Sequence, residues 1–406
     1  MRFTRLLWIV VSFFVLSASL NVPDGSADAG AEENTAKPAP PFQTDESALL
    51  KELREGFDWR LRVLGFGIVQ QPRNSDLNPD NVLQINRYQA ELDIRPDLGL
   101  KFRKVELSVK PRFDFDWKRW EDGVRSGESD YDYDIYVNEW LARYMLTEEL
   151  FASYGRENLQ WGPSYLISPS NPFNKDNGRN NPMIEVPGLD YARMVWIPSP
   201  KFSASFIANT DEGQMDFLRG FEKTYAFKFD YTGHKKYFSV IPSYRESDEF
   251  RIGFFGGWAA SDALLLHIEG SASDSEDGSV LVGGSYTLRL GPTLTLEYYY
   301  NGAGCTDSIR NCFPPFNDSS FDDVLIRKNY ILVQAFDTRI RNVFNVILRW
   351  IGDLDDGSSR SVGIVEYELN NHAKLFAVGD YFSGGPDTEF GSLLEYSLFV
   401  GAEYNF

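Results

Sequence analysis

The sequence contains few of the residues that build metal sites and hydrolytic centres. Only two of its 406 residues are cysteine and three are histidine. It has no P-loop, no dinucleotide-binding fingerprint and no haem-attachment motif. His267 lies two residues before Glu269, but no serine in a nucleophile motif lies near it, although a Ser-His hydrolase is defined by spatial arrangement and not by sequence order. We therefore expect no enzymatic activity, no metal and no cofactor.

The sequence also lacks long apolar runs, apart from one near its N-terminus. Leu6–Leu16 is too short to span a bilayer as a mature helix. It follows two arginines and precedes a small-x-small cleavage site at Ala27–Ala29. These features predict a signal peptide over residues 1–29, with a cut near Ser19 as the alternative. The mean hydropathy of the chain, −0.33, is too low for a bundle of membrane helices.

Basic residues are outnumbered by acidic ones. The chain has 40 Lys and Arg against 59 Asp and Glu, which gives a formal charge of −19. Removal of the predicted signal peptide deletes two arginines and two aspartates and leaves that charge unchanged. Nucleic-acid binding requires clustered basic residues. We therefore expect no nucleic-acid partner.

The two cysteines lie close together in a polar stretch. Cys305 and Cys312 are surrounded by Asn, Asp, Pro and Ser. In an exported chain this spacing predicts one disulfide across a surface loop, because two thiols without nearby histidine do not complete a metal site. Closing so small a ring is worth about 2–3 kcal/mol on the chain-entropy model.

From Phe57 onward the chain alternates apolar and polar residues with a period of two. The first such stretch places Phe57, Trp59, Leu61 and Val63 on one face and Asp58, Arg60 and Arg62 on the other. Similar stretches of about ten residues recur along the chain, longer than the strands of a typical soluble sandwich. A barrel with lipid outside and water inside explains both length and alternation. We predict an all-β fold, a transmembrane antiparallel β-barrel over residues 57–406.

The connections between these stretches alternate between short and long, which predicts about 18 strands, with 16 as the alternative. An even number brings both ends of the barrel to the periplasmic side. A change of phase between Tyr131–Val137 and Trp140–Leu146 predicts a β-bulge near Asn138–Glu139. Residues 30–56 are predicted to form a periplasmic lead-in with a short helix at Thr44–Glu55.

The last fourteen residues, 393–406, alternate most regularly. Leu394, Tyr396, Leu398, Val400, Ala402, Tyr404 and Phe406 share one face. This stretch resembles the C-terminal strand by which bacterial outer-membrane β-barrels are recognised for insertion, with Tyr404 and the terminal Phe406 as its aromatic signal. The resemblance implies the Gram-negative cell outer membrane, contact with its lipid and lipopolysaccharide, and the barrel-assembly machinery as a partner.

One connection, residues 161–187, is long and shows no alternation. It contains aromatic, proline and charged residues that favour an ordered path: Trp161, Tyr165, Phe173, Lys175, Asp176, Arg179 and Glu185. The pairs Gly155-Arg156, Trp161-Gly162 and Asn171-Pro172, in and just before this connection, resemble segments of porin-like families, in which a long loop folds into the barrel and narrows it. We predict a constriction loop, with an ordered external loop as the alternative.

The polar faces of the predicted strands carry charges of both signs. Candidate lumen-facing charges are Arg60, Arg62, Arg87, Arg95, Arg112, Asp114, Asp116, Arg339, Arg341, Glu366 and Glu395. Such side chains either simply solvate a watery lumen or create a transverse field across it.

These observations predict a porin-like channel for the passive passage of small polar solutes or ions. The alternative is a barrel that serves as a sheath or export conduit for a periplasmic or outer-membrane partner protein, as in cytochrome conduits or polysaccharide export. Sequence alone does not separate these two classes.

Overall fold

The computed structural model describes residues 44–179, 185–214, 221–246, 249–274, 278–312, 325–341 and 343–406. The predicted signal peptide lies outside these ranges. Eighteen antiparallel strands form a single sheet in which every strand pairs with its neighbour in sequence, and the first strand also pairs with the last. The sheet is therefore a closed barrel, and the predicted count of 18 strands is confirmed.

The strands, in chain order, are β1 (Phe57–Pro72), β2 (Tyr88–Phe102), β3 (Val105–Arg119), β4 (Ser129–Met145), β5 (Leu150–Glu157), β6 (Leu189–Ser199), β7 (Phe202–Asp211), β8 (Thr224–Gly233), β9 (Lys236–Arg245), β10 (Glu249–Ala259), β11 (Leu264–Ser273), β12 (Ser279–Thr287), β13 (Thr293–Asn301), β14 (Asn329–Ile340), β15 (Phe344–Asp353), β16 (Ser359–Glu368), β17 (Ala373–Ser383) and β18 (Leu394–Asn405). One end of the barrel has connections of two to five residues, and we call it the short-turn end. The opposite end, the long-loop end, carries the extended connections.

Helices are few and short among the described residues. Helix α1 (Thr44–Gly56) precedes β1, so the predicted helix at Thr44–Glu55 is confirmed. A 3-10 turn (Pro79–Asn81) and a four-residue helix α2 (Ile309–Cys312) lie in long loops. No helix in the described part of the chain is long and apolar enough to cross a membrane.

Alternating residues of each strand lie on opposite faces of the barrel wall, and these two faces differ chemically. On β13, Leu294, Leu296 and Tyr298 are 44%, 55% and 38% exposed, whereas the intervening Thr295 and Glu297 are 2% and 0% exposed. Apolar side chains thus point outward and a carboxylate is buried inside, the reverse of a soluble domain. The outer face therefore fits a hydrocarbon solvent.

The phase change in β4 is a β-bulge. Lys110 of β3 pairs with Glu139, while the next residue, Pro111, pairs with Val137. Asn138 is the extra residue on β4, as predicted, and the bulge keeps apolar residues outward on both sides of it.

Closure of the barrel depends on β18. It pairs with β17 on one edge and with β1 on the other, in a register that places Gly401 opposite Phe66. Beyond the end of β18, the Phe406 N–H donates to the Leu61 carbonyl oxygen at 2.9 Å. On the inner face, the ring centroids of Phe66 and Phe399 lie 4.2 Å apart. Both hydrogen bonds and aromatic packing join the last strand to the first.

The lumen is partly filled by packed apolar side chains. A cluster on β1 and β15–β18, the closure cluster, contains Leu64, Val362, Ile364, Phe376, Val378 and Phe399, with Phe66, Ile68 and Ile347 against it. Burying each large apolar side chain contributes about 1.5–3 kcal/mol. The closure cluster therefore adds stability at the seam where the barrel closes.

We expect Gly401→Ala to destabilise the closed barrel by about 1–3 kcal/mol, because overpacking forces side chains or backbone to shift. A Cβ at Gly401 would lie 2.5 Å from the Gly65 carbonyl oxygen and 2.5 Å from the Phe376 ring. Gly379 is the matched control, since a Cβ there meets nothing within 4 Å. Urea unfolding of the detergent-folded barrel, followed by heat-modifiable gel migration, measures the difference. Equal urea midpoints for the Gly401 and Gly379 variants would show that the seam is not closely packed at Gly401.

Candidate functional site

The connection between β5 and β6, residues 158–188, leaves the wall below its rim. Strand β4 pairs with β5 only over Trp140–Met145. Along the rest of β4, the N–H groups of Tyr131, Tyr133 and Ile135 donate to the carboxylates of the aspartates that precede them. Residues 158–188, which we call the crossing segment, therefore start at mid-height and not at the long-loop end.

The first anchor of the crossing segment is Glu269 of β11. Its carboxylate, which is 0% exposed, accepts hydrogen bonds from the hydroxyls of Ser164, Ser168 and Ser170 and from the Ser170 N–H. Hydrogen bonds to a charged group contribute about 1.5–3 kcal/mol each. Gly162 permits the approach, because its φ is 88° and a Cβ would lie 2.3 Å from a Glu269 oxygen.

The second anchor is Glu297 of β13, also 0% exposed. It accepts the backbone N–H groups of Tyr165 and Leu166 at 2.8 and 2.9 Å. The Nε2 of His267 lies 3.0 Å from the same carboxylate. Two buried carboxylates on neighbouring odd-numbered strands thus bind consecutive parts of one chain segment.

Aromatic packing fixes the crossing segment against another part of the wall. The Trp161 and Phe173 rings meet edge to face at 5.9 Å, and Phe173 meets Tyr191 of β6 at 5.1 Å. Phe173 belongs to an apolar cluster whose other buried members lie on β6–β10: Leu189, Tyr191, Ile207, Ala226, Ile241 and Phe255. Such pairs contribute about 0.5–1.5 kcal/mol beyond their buried area.

The charged residues in the middle of the crossing segment mainly hold its own backbone. The Arg179 guanidinium donates to the carbonyl oxygens of Gly162, Pro163 and Ser164 and lies 5.4 Å from the centre of the Tyr165 ring. Arg349 of β15 donates to the Arg179 carbonyl oxygen at 3.0 Å.

Two further predicted residues of the segment, Lys175 and Asp176, are half-buried. The Lys175 carbonyl oxygen accepts the Ser168 N–H at 2.8 Å. The Asp176 carboxylate accepts the Gly178 N–H at 2.9 Å. Both residues therefore stabilise the turns of the segment itself.

The end of the crossing segment reaches the opposite wall through Glu185. Its carboxylate accepts hydrogen bonds from Arg112 of β3 at 2.6 and 3.0 Å and from Arg62 of β1 at 3.0 Å. Asn138 lies 3.3 Å and Arg95 3.9 Å away. Burial opposes ionisation of Glu185, but the hydrogen bonds and charges of the arginines outweigh it and lower the pKa of this carboxyl.

These contacts define where the crossing segment lies. Residues 161–179 contact inward-facing groups of β6–β15, and Glu185 contacts inward-facing groups of β1–β4. Residues 180–184 lie outside the described ranges. The described parts of the segment thus contact both sides of the barrel interior.

The structure places most, but not all, of the predicted lumen-facing charges on the inner face. Arg60, Arg62, Arg95, Arg112, Asp114, Asp116, Glu366 and Glu395 lie on the inward parity of their strands. Arg87 precedes β2 and donates to the Gln70 carbonyl oxygen at 2.8 Å. Arg341 instead lies in the β14–β15 turn, with a φ of 54°, and the side chain of Arg339 lies outside what the structure describes.

The anchors Glu269 and Glu297 were not among the predicted site residues. The sequence does carry a signal for them, because each alternates with outward apolar residues. Leu266 and Ile268 precede Glu269, and Leu296 and Tyr298 flank Glu297. Their positions in the alternation predict that both side chains point inward. Their pairing with the crossing segment is visible only in the folded chain.

Two rows of acidic residues across β2, β3 and β4 were also not predicted from the sequence. Glu91, Asp116 and Asp132 lie directly opposite one another on β2, β3 and β4, and Asp93, Asp114 and Asp134 form the next row. Both rows point into the barrel. Like charges in register are destabilising, so this wall depends on water and on neighbours such as Arg95, which pairs with Asp93.

His267, the one histidine beside an inward carboxylate in the predicted strands, is held by the wall. It is bonded to Glu297, and no serine hydroxyl in the described part of the chain is hydrogen-bonded to it. Nor is any group of three or more His, Cys, Asp or Glu in those ranges arranged to hold a metal ion.

The predicted disulfide between Cys305 and Cys312 is confirmed, with the two Cα atoms 5.6 Å apart. It lies in the long loop between β13 and β14. Arg327, at the other end of this loop, donates to Cys312 Sγ at 3.2 Å and also contacts Asp356 at 3.3 Å. The disulfide ring is thus linked to the next connection at the long-loop end, residues 354–358.

A closed antiparallel barrel of 18 strands, crossed by one of its own connections, is the class of fold that these elements define. No protein-family model matches the chain, and no curated protein does. Solved structures of the same fold come from Pseudomonas aeruginosa. OccK7 (OpdD) is 10% identical, with 86% of this chain and 98% of that chain covered and a TM-score of 0.58. The outer membrane protein OprD is 9% identical, with 87% and 94% covered and a TM-score of 0.59. OccK5 (OpdH) is 11% identical, with 87% and 98% covered and a TM-score of 0.55. At such low identity the likeness shows the fold alone.

Replacing both anchors, Glu269→Ala with Glu297→Ala, should release the crossing segment while leaving the barrel closed. Tryptic cleavage after Lys175 or Arg179 should then accelerate at least about tenfold, because several charged hydrogen bonds are lost and trypsin requires an accessible, extended chain. Glu366→Ala is the matched control, since Glu366 is an inward carboxylate paired with Lys374 and not with the segment. Unchanged cleavage in the double variant would show that the anchors do not hold the segment.

Proposed function

We propose that the chain is an outer-membrane porin that lets small polar solutes or ions pass down their gradients, with the crossing segment as its constriction. The closed barrel and its solved neighbours support a channel. The crossing segment supplies the element that sets which solutes pass.

The outer surface supports the location in a membrane. Near the short-turn end, exposed outward aromatic residues form a belt: Trp59, Trp196, Phe202, Phe238, Trp258, Tyr286 and Tyr404. A second belt near the long-loop end contains Tyr131, Tyr133, Tyr225, Tyr244, Phe250, Tyr300, Tyr381 and Tyr396. Two aromatic belts around an apolar band match the two interfaces of a bilayer. Short turns are then periplasmic and long loops extracellular.

The observation that carries the proposal is the position of the crossing segment inside the barrel. It is bonded to Glu269 and Glu297 on one side and, through Glu185, to Arg62 and Arg112 on the other. Any solute moving through the lumen must pass this segment. Fixed charges in a narrow, weakly screened passage act strongly on ions.

The same observation favours a porin over an export conduit. A lumen that holds its own chain segment and three packed apolar clusters leaves less room for a partner polypeptide. The inward charges of both signs suit hydrated solutes better than a protein surface. The arrangement therefore supports passage of solutes without a chemical reaction.

Replacing residues 171–187 by a short Gly-Ser linker should raise single-channel conductance several-fold. The linker deletes the Phe173 packing and the Glu185 bonds, so the narrowest section widens. Planar-bilayer recordings measure the change, and heat-modifiable migration with β-type circular dichroism verifies that the barrel is folded. A folded variant that conducts like the parent would contradict the constriction. A parent that is electrically silent would contradict the porin itself and favour the conduit.

Deleting Phe406 should lower the amount of folded protein in the outer membrane and raise its periplasmic degradation. Phe406 is 61% exposed, and its N–H donates to the Leu61 carbonyl oxygen. Phe406→Tyr is the matched control because it keeps an aromatic side chain at this position and the backbone bond. Membrane fractionation with immunoblotting measures both products. Equal folded levels in the deletion and the control would show that this residue is no insertion signal.

A further inference from the structure

A second feature of the lumen lies between the crossing segment and the short-turn end. It is a cavity of about 650 Å³, within the range of about 300–1,000 Å³ that small-molecule sites occupy. The crossing segment forms its roof through Pro163, Tyr165 and Arg179. Strands β9–β14 and the short turn between β10 and β11 form its wall and floor. A solute that has passed the crossing segment toward the periplasm would enter this cavity, which we call the lower pocket.

The charged groups around the lower pocket are already satisfied. The Arg179 guanidinium is bonded to three carbonyl oxygens of its own segment. Glu297, behind His267, holds two backbone N–H groups and the His267 ring. Asp262, at the rim, lies 3.3 Å from Lys235, but its side chain is 99% exposed, so water screens this pair. A charged solute that paired with Arg179 or Glu297 would have to displace one of their partners, so the inner part of the pocket favours a neutral solute.

Hydroxyl groups, in contrast, still have hydrogen-bonding capacity. Ser285 bonds Thr295 at 2.8 Å and Thr287 bonds Thr293 at 2.9 Å. Each hydroxyl has one donor and two acceptor sites, so each such pair uses only part of its capacity. The Tyr237 hydroxyl has no hydrogen bond to the described part of the chain.

The backbone beside His267 is arranged to keep this pocket open. Gly257 and Gly283 lie opposite His267 on β10 and β12. A Cβ at Gly257 would lie 2.5 Å from the Tyr237 ring, and one at Gly283 would lie 2.6 Å from His267 Nε2. His267 Nδ1 is buried and has no protein partner in the described residues. Side chains at the two glycines would therefore displace the rings of Tyr237 and His267 that line the pocket.

The aromatic lining complements the hydroxyls. Tyr165, Tyr237 and Phe336 bring ring surfaces to the same pocket. Flat apolar surfaces with a few placed polar groups are the usual composition of a small-molecule site. A sugar or polyol presents the matching chemistry, with C–H faces for the rings and hydroxyls for the polar groups.

We propose that the lower pocket binds a neutral polyhydroxylated solute of about monosaccharide size, held by the hydroxyls of Thr287, Thr293 and Tyr237 against aromatic rings. The role of the lower pocket in transport, as a binding site for a solute that has passed the constriction, rests on the proposed porin function. Binding itself does not depend on conduction.

The test uses the full barrel folded in detergent and glucose as the probe. Saturation-transfer NMR should detect glucose binding to the parent. Thr287→Val with Thr293→Val should weaken the apparent affinity about tenfold, as expected for two lost hydrogen bonds, and Tyr237→Phe should weaken it several-fold. Thr232→Val is the matched control, since Thr232 lies on the inward parity of β8 and does not line the pocket.

Current recordings of the same proteins separate this proposal from the porin function. Glucose should reduce the open-channel current of the parent, and of Thr232→Val, at lower concentrations than that of the double variant. A parent that conducts but neither binds glucose nor is blocked by it would overturn the lower pocket and leave the porin intact. Binding without any current would overturn the porin and keep the pocket. Stronger binding of gluconate than of glucose, or equal glucose affinity in all variants, would also overturn the proposal.

Discussion

The pairing of β18 with β1 is the interaction on which the rest of the structure depends. A strand in hydrocarbon has no water to satisfy its backbone, so an open sheet edge is not tolerated in a bilayer. Closure removes that edge and at the same time separates two solvents. Apolar residues must then face outward, and polar residues can be retained only inside. The inside-out burial of β13, with Glu297 hidden and Leu296 exposed, is a direct consequence.

A polar interior creates a second demand, because buried carboxylates need donors. The crossing segment supplies them for Glu269 and Glu297 through hydroxyl and backbone N–H groups. The arginines of β1 and β3 receive their counter-charge from the same segment, through Glu185. The wall and the segment therefore satisfy each other's buried polar groups. Replacing both anchors by alanine removes the buried carboxylates together with their need for donors, so it is expected to free the segment without opening the barrel.

The fold could be predicted from sequence far better than the site. Alternation is a local signal, and it predicted the strands, the extra residue at Asn138 and the strand count. The disulfide followed from the short spacing of Cys305 and Cys312. The partners of Glu269 and Glu297 could not be predicted in the same way, because they lie about a hundred residues away and their pairing depends on where the crossing segment turns. Arg341 was assigned to a lumen-facing strand because the alternation extends past the turn in which it lies.

The distribution of apolar and acidic side chains inside the barrel indicates where water must lie. Packed apolar clusters cover the inner face along β6–β10, along β12–β15 and along β15–β18 with β1. Strands β2–β4 instead carry the two acidic rows that begin at Glu91 and Asp93. Six carboxylates in register would repel one another strongly in a dry interior, whereas water and mobile cations screen them. We therefore expect a hydrated passage along β2–β4, on the side where the arginines that bind Glu185 lie. The constraint that makes the barrel close would thus also direct an aqueous path past the charged end of the crossing segment.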